Sequence, residues 1–227
     1  MLTERGPKST MEVSTPQPAE RPAGVSVFMV NILFIDGRNF MSKISSILNP
    51  ETVKDKKVDF ALYDFKGLLG KVLAGITTDS KLFYLGKLTV HEETVKKSQE
   101  LIEEQRLLKA HLEGQGFEVV LAGHVRGHTE TCRKGHTMLT FKEKGVDVRI
   151  AVDMITRASR KEINLAIIAS SDSDLQPAVR ELRGLGIERI YLGFEAQPNK
   201  GLTYTTNRTI LIRNSEVEEF AKASTLL

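Results

Sequence analysis

The chain has one cysteine, no tryptophan and few aromatic residues of any kind, 6% of its 227 positions. A single thiol, Cys132, excludes an intramolecular disulfide framework and a zinc site built from cysteine alone. The shortage of aromatics argues against a broad platform for stacking nucleic-acid bases. No run approaches the ~18 uninterrupted apolar residues that would cross a bilayer, so no membrane partner is expected. An excess of one charge is also lacking. The 32 basic and 29 acidic residues leave only +3, which by itself implies no polyanionic partner. No glycine-rich turn follows the first strong apolar run, which argues against a dinucleotide-binding domain. The GLG at 184–186 ends a helix instead.

What is present is the balance of a globular domain, 41% hydrophobic and 27% charged. Residues 1–27 are the exception. They hold four of the seven prolines (Pro7, Pro16, Pro18, Pro22), no aromatic residue, and acids balanced by bases. Such a segment cannot bury enough apolar surface to offset its ordering entropy, and it is expected to be a disordered tail. No apolar stretch follows its early charges, as a secretory signal would require, so the expected location is cytoplasmic. Residues 28–213 read as one domain, and 214–227 as a C-terminal helical segment.

Val30 to Ile35 (VNILFI) and Ile163 to Ala169 (INLAIIA) are nearly continuous apolar runs, the pattern of strands buried on both faces of a parallel sheet. Further strands are expected at 82–88, 117–122, 187–194 and 209–212. Helices are expected at 58–76, 93–113, 146–158, 174–185 and 216–223, and a loop or hairpin at 123–144. Strands and helices alternate, so the fold class is α/β with a mostly parallel sheet covered on both faces.

Aspartates stand where these elements begin or end. Asp36 follows the first buried strand, and Asp172 and Asp174 follow INLAIIA. Parallel strands joined by right-handed crossovers present their carboxyl ends on one edge, where ligands of open α/β sheets bind. Asp147 opens the 146–158 helix. At ~100° per residue it falls within an apolar arc expected from Val148, Ile150, Ala151, Val152, Met154 and Ile155. Its carboxylate should therefore face the sheet. Asp153 lies near the border of that arc and can pair with Arg157. Clustered carboxylates repel, and they need protons or a cation. Hard oxygen donors suit Mg²⁺ or Mn²⁺, which lower the pKa of a bound water and polarise a phosphoryl oxygen. The chemistry this suggests is phosphodiester hydrolysis. Asp36, Asp147 and Asp172 would hold the metal, directly or through water, Asp174 would be a further ligand or orient the water, and Asn39 would hydrogen-bond substrate or a carboxylate. Taken one at a time, the same residues are ordinary turn and helix-cap choices. Their joint placement at one sheet edge is what suggests a site.

Three segments, FIDGRN (34–39), KGVDVRIAVDMI (144–155) and IIASSDSDLQPAVREL (167–182) followed by GLGIERIYLGF, resemble the NYN-type PIN-like domain family in that order. The resemblance spans roughly 28–213, with a poorly matched middle from 40 to 115. It implies a PIN-like three-layer α/β/α fold and a metal-dependent ribonuclease site. The family's acids fall on Asp36, Asp147, Asp172 and Asp174, and its asparagine on Asn39. Asp153 also matches a frequent aspartate of the second motif and could join the metal ligands. Ser171 stands where glycine is common, and Leu175 where phenylalanine is common. Some domains of this type bind RNA without cutting it.

The stretch 124–136, HVRGHTETCRKGH, spaces His124, His128, Cys132 and His136 four apart. Its glycines disfavour the helix that would align them on zinc, so a polar loop is the preferred reading. Arg126, Arg133, Lys134, Lys144 and Arg149 form a basic group that could track an RNA backbone, or simply a solvated face. The helix at 93–113 is expected to be largely solvated; a homodimer contact through it stays open. A haloacid-dehalogenase-type phosphatase is the alternative enzyme. It normally needs a second aspartate two positions after the first, and Arg38 occupies that place.

Overall fold

A computed structural model describes residues 29–49, 58–90, 95–131 and 137–221, with the backbone alone at 126–131 and 137–140. The tail expected at 1–27 and the residues Cys132, Arg133, Lys134 and His136 lie outside the described residues.

Seven strands form one sheet in the order β4-β3-β2-β1-β5-β6-β7. They are β1 (Val30–Asp36), β2 (Ser80–Leu88), β3 (Glu118–Thr131), β4 (Thr137–Lys144), β5 (Ile163–Ala169), β6 (Glu188–Phe194) and β7 (Arg208–Ile212). All pairings are parallel except β3 with β4, an antiparallel hairpin on the edge. Of the two alternatives for 123–144, the hairpin is the one formed. Gly123 permits the entry into it. Its φ is +60°, and a Cβ there would run into the Lys144 carbonyl.

Alternate residues of β1 feed two separate cores, as a pleated strand requires. Leu33 and Ile35 pack with α1 (Gly37–Leu48), α2 (Phe65–Val72), α3 (Val95–Gly114) and α7 (Asn214–Glu219). Ile32 and Phe34 pack with α4 (Val146–Ser159), α5 (Gln176–Gly184) and α6 (Lys200–Thr205) on the other face. The result is a three-layer α/β/α fold. Val217 of α7 is fully buried, and its carbonyl accepts the Tyr63 hydroxyl proton at 2.9 Å, so this terminal helix seals the first core.

Several local expectations shift. The helix expected over 58–76 is confined to Phe65–Val72, because the Asp64 carboxylate accepts the Gly67 N–H at 2.8 Å and starts the helix there. Helix α1 was not anticipated; Phe40 and Ile44 anchor it, and Asp36 caps it. The helix after β5 opens as a single 3-10 turn, Ser173–Leu175, before α5. The buried side of α4 is Val146, Ile150, Met154 and Ala158. Val148 and Val152 face solvent, since each lies ~200° around the helix from Ile150.

Candidate active site

The chain reverses direction across the sheet at β1. It grows to β2 on one side and later returns to β5 on the other. This is the topological switch point, where two neighbouring loops leave the carboxyl edge in opposite senses and leave a crevice between them.

The parallel register brings the two loops together. Ile35 pairs with Ala169, so Asp36 and Ser170 follow side by side. Asp36 is 7% exposed. Its Oδ2 accepts the Ser170 hydroxyl proton at 3.0 Å, and its Oδ1 accepts the Asn39 backbone N–H at 3.1 Å. Ser170 Oγ in turn accepts the Asp172 N–H at 3.1 Å. Asn39 crosses the crevice, and its Oδ1 accepts the Ser171 N–H at 2.9 Å and the Ser171 hydroxyl at 3.1 Å. Gly37 allows this loop to lie flat on β2, because a Cβ there would collide with Phe83, the Tyr84 carbonyl and Leu85.

Asp36, Asp147 and Asp172 line one open cleft of about 650 Å³. Burial pushes the Asp36 carboxyl above the usual aspartate range. The bonds from Asn39 and Ser170 pull it partly back, and the charges of Asp172 and Asp147 raise it further. A fourth carboxylate, Glu143 of β4, lines the same cleft and went unnoticed in the sequence. It too is raised by burial, which is opposed by the Gly86 N–H and Arg38 and reinforced by Asp36 and Asp147. Gly86 N–H donates to Glu143 Oε2 at 2.8 Å, and a Cβ on Gly86 would occupy that carboxylate's place. A glycine inside an apolar strand was the available signal, since it marks the close approach of another group. Asn199 also escaped notice. Its Nδ2 donates to the Ser171 carbonyl at 2.9 Å while its Oδ1 caps α6, so it braces the β5 loop from behind.

Not every expected residue joins the cleft. Asp174 is exposed and lies off the cleft wall, because Asp172 Oδ1 accepts the Asp174 N–H at 2.9 Å and the turn directs the chain away. Asp153 sits about 9 Å further along α4 than Asp147. Its carboxylate accepts the Tyr84 hydroxyl at 3.0 Å and Arg149 Nε at 2.8 Å, so its partner is Arg149 instead of Arg157. That ion pair also occupies Arg149. Lys144 does line the cleft, together with Arg38, Lys43 and Lys142. Arg126 is placed in β3, paired with Lys142, by its backbone alone. Of the four residues considered for zinc, His124 is exposed on β3 and His128 lies further along its backbone.

All the cleft's acidic donors are carboxylates, the hard-oxygen set that suits Mg²⁺ or Mn²⁺ and not a soft metal. Among the described residues, no three acid, imidazole or thiol groups stand close enough together to cage an ion. That set fits an ion of the Mg²⁺ kind, which keeps several waters and is commonly held by one or two carboxylates plus substrate phosphates.

A switch-point crevice lined by acids and rimmed by bases, in an α/β/α sandwich, defines a PIN-like domain. More particularly, the chain belongs to the NYN domain family, a PIN-like nuclease family, whose model matches residues 32–213. Among solved structures, it is similar to a protein of unknown function from Vibrio parahaemolyticus, at 16% identity and a TM-score of 0.51, over 90% of this chain and 99% of that one. At that identity the likeness concerns the fold. No curated protein matches the chain. Among the described residues, no helix is long and apolar enough to cross a membrane.

Proposed function

We propose that this chain is a metal-dependent ribonuclease that hydrolyses RNA phosphodiester bonds in the β1–β5 crevice. The observation that carries the reading is the Asp36 carboxylate, buried at the switch point with Asp147, Asp172 and Glu143 around the same opening. A buried acid among like charges favours either a proton or a cation. Family membership favours the cation, since PIN-like nucleases typically use divalent metals.

Asp36, Asp147 and Asp172 would hold Mg²⁺ or Mn²⁺ directly or through its bound waters, with Glu143 on the neighbouring wall. When bound, the ion would polarise a phosphoryl oxygen and lower the pKa of water. The protein's own part is positional. Ser170 and the Asn39 N–H hold the Asp36 carboxylate in one orientation. Asn39 and Asn199 hold the Ser171 backbone, and with it the strand-to-turn link that carries Asp172. Arg38, Lys43, Lys142 and Lys144 supply positive charge along the rim for a phosphate backbone.

The lack of a preformed three-donor cage among the described residues favours a second reading, an RNA-binding or regulatory module that uses the same crevice without turnover. A time course on labelled single-stranded RNA, with Mg²⁺ or Mn²⁺ and with chelator, separates the two. Chelator-sensitive cleavage supports the nuclease. RNA retained intact in the presence of either metal supports the binding module and overturns catalysis.

A further inference from the structure

Beside the acidic cleft lies a second cavity of about 500 Å³ and of opposite character. Phe60, Phe141, Leu85, Leu108 and Val125 give it mostly apolar walls. Arg38 and Glu143 line both cavities, so the two share a charged partition. A concave apolar recess of this size, with a few convergent polar groups, has the dimensions of a small-ligand site.

We propose that this recess receives one unstacked base of a single-stranded RNA whose phosphate lies in the acidic cleft, and that Glu143 selects which base enters; the proposal rests on the ribonuclease reading above. Single-stranded RNA is read by bases splayed onto aromatic and apolar surfaces and hydrogen-bonded along their edges. A single recess does this with two aromatic rings, without the broad platform that the composition lacks. The backbone joining base to phosphate would pass the shared partition. Arg38 stands there, its Nη2 donating to the Phe141 carbonyl at 3.4 Å.

The other group on the partition sets the selectivity. An ionised Glu143 only accepts hydrogen bonds, and a carboxylate has room for about four. Gly86 N–H takes one of these, on Oε2 at 2.8 Å. The Gly86 carbonyl is itself held by Gln105 Nε2 at 2.8 Å, so the strand that positions Glu143 is anchored on both sides. Such an acceptor suits base edges that donate. Guanine presents an N1–H and an amino group side by side, and adenine and cytosine one amino group each. Uracil presents one N–H between two carbonyls, which the carboxylate repels. The expected order is guanine first and uracil last.

The test titrates the full-length chain with GMP, AMP, CMP and UMP in EDTA, followed by NMR, so that no turnover is involved. GMP should bind about tenfold more tightly than UMP, the discrimination of a good bidentate edge contact. Leu107 is 52% exposed at the cavity wall, so Leu107→Trp narrows the recess without cutting into a core. It should weaken GMP by about tenfold or more, the scale of a lost stacked base. Glu143→Gln should bring the GMP-to-UMP ratio close to one. Equal binding of all four nucleotides to the wild type, or GMP binding indifferent to Leu107→Trp, overturns the proposal. So does a concentration-dependent dimer that Leu107→Trp abolishes while nucleotides fail to bind, which would assign the recess to a second copy of the chain. Cleavage of labelled RNA is measured separately. Selective nucleotide binding without cleavage sinks the ribonuclease reading and leaves the recess standing. Cleavage without base preference, unchanged by Leu107→Trp, does the reverse.

Discussion

At the carboxyl ends of the strands Asp36 is 7% exposed and accepts two hydrogen bonds, from the Asn39 N–H and the Ser170 hydroxyl. At the amino end of β6 Arg189 is 5% exposed, and its guanidinium donates to Asn207 Oδ1 at 2.6 Å. Its Nε and Nη1 have no partner among the described residues. Burial moves each group toward its neutral form: the Asp36 carboxyl is raised, and the Arg189 guanidinium is lowered, with Arg183 adding to the effect. The desolvation penalty is of one kind, and the surroundings differ. The Arg189 backbone N–H also donates to Asn207 Oδ1, and the Asn207 N–H donates to the Arg189 carbonyl, so the pair fastens the start of β7 to β6. Asp36 instead faces other carboxylates around an opening. A buried charge tied to a neutral amide holds the fold together. A buried charge among its own kind, beside open space, is suited to receive a counter-ion.

That contrast can be broken in steps of decreasing size. Double replacement Asp36→Asn and Asp172→Asn should lower RNA cleavage by about 100-fold or more while circular dichroism stays native. Cleavage that survives in a clean preparation removes the assignment. Asn39→Ala removes the link to Ser171 and should cost about 10- to 100-fold in rate, as lost outer-shell support does. Gly37→Ala should destabilise by about 1–3 kcal/mol in denaturant melts, because β2 leaves no space for the methyl group.

The pH dependence of stability tests the cause of the Asp36 shift. The native carboxyl titrates above the ordinary value of 3.8, so between those two pH values the folded state binds more protons than the unfolded one. Its contribution is fully present below 3.8 and is lost as pH rises through the raised value. Asp36→Asn lacks this loss, so its melting temperature should gain on the wild type across that window and then run parallel. An unchanged difference across the window would mean that burial does not govern the carboxyl. The smallest effect belongs to the opposite edge. Arg189→Met removes one hydrogen bond and one desolvated charge, which oppose each other, so stability should stay within about 1 kcal/mol and cleavage should not change.

The two central strands were legible because VNILFI and INLAIIA are apolar at nearly every position, which only a doubly covered strand requires. Asp36 and Asp172 were legible for a related reason: each follows such a strand, and parallel strands end on one edge. Helix α1 was legible and missed: Phe40, Met41, Ile44, Ile47 and Leu48 recur at helical spacing, on the face that packs against the first core. Glu143 was missed because FKEK, at the edge of a sheet, has the alternation of a solvated strand. Its burial depends on a glycine 57 positions away. Asp153 was misplaced for the converse reason. It matches the second motif, but it lies about 240° around α4 from Asp147, and Tyr84 and Arg149 hold its carboxylate away from the cleft.

By itself the order of apolar runs and acids determined the layer architecture and the edge of the sheet where the acids gather, since both follow from local periodicity and the handedness of crossovers. Which carboxylates share the cleft was decided only in three dimensions. The pairing of Ile35 with Ala169, the missing Cβ of Gly86 and the turn capped by Asp172 set distances of a few ångströms between residues remote in the chain. The electrostatic coupling of charges depends on those distances, and no spacing along one strand or helix encodes them.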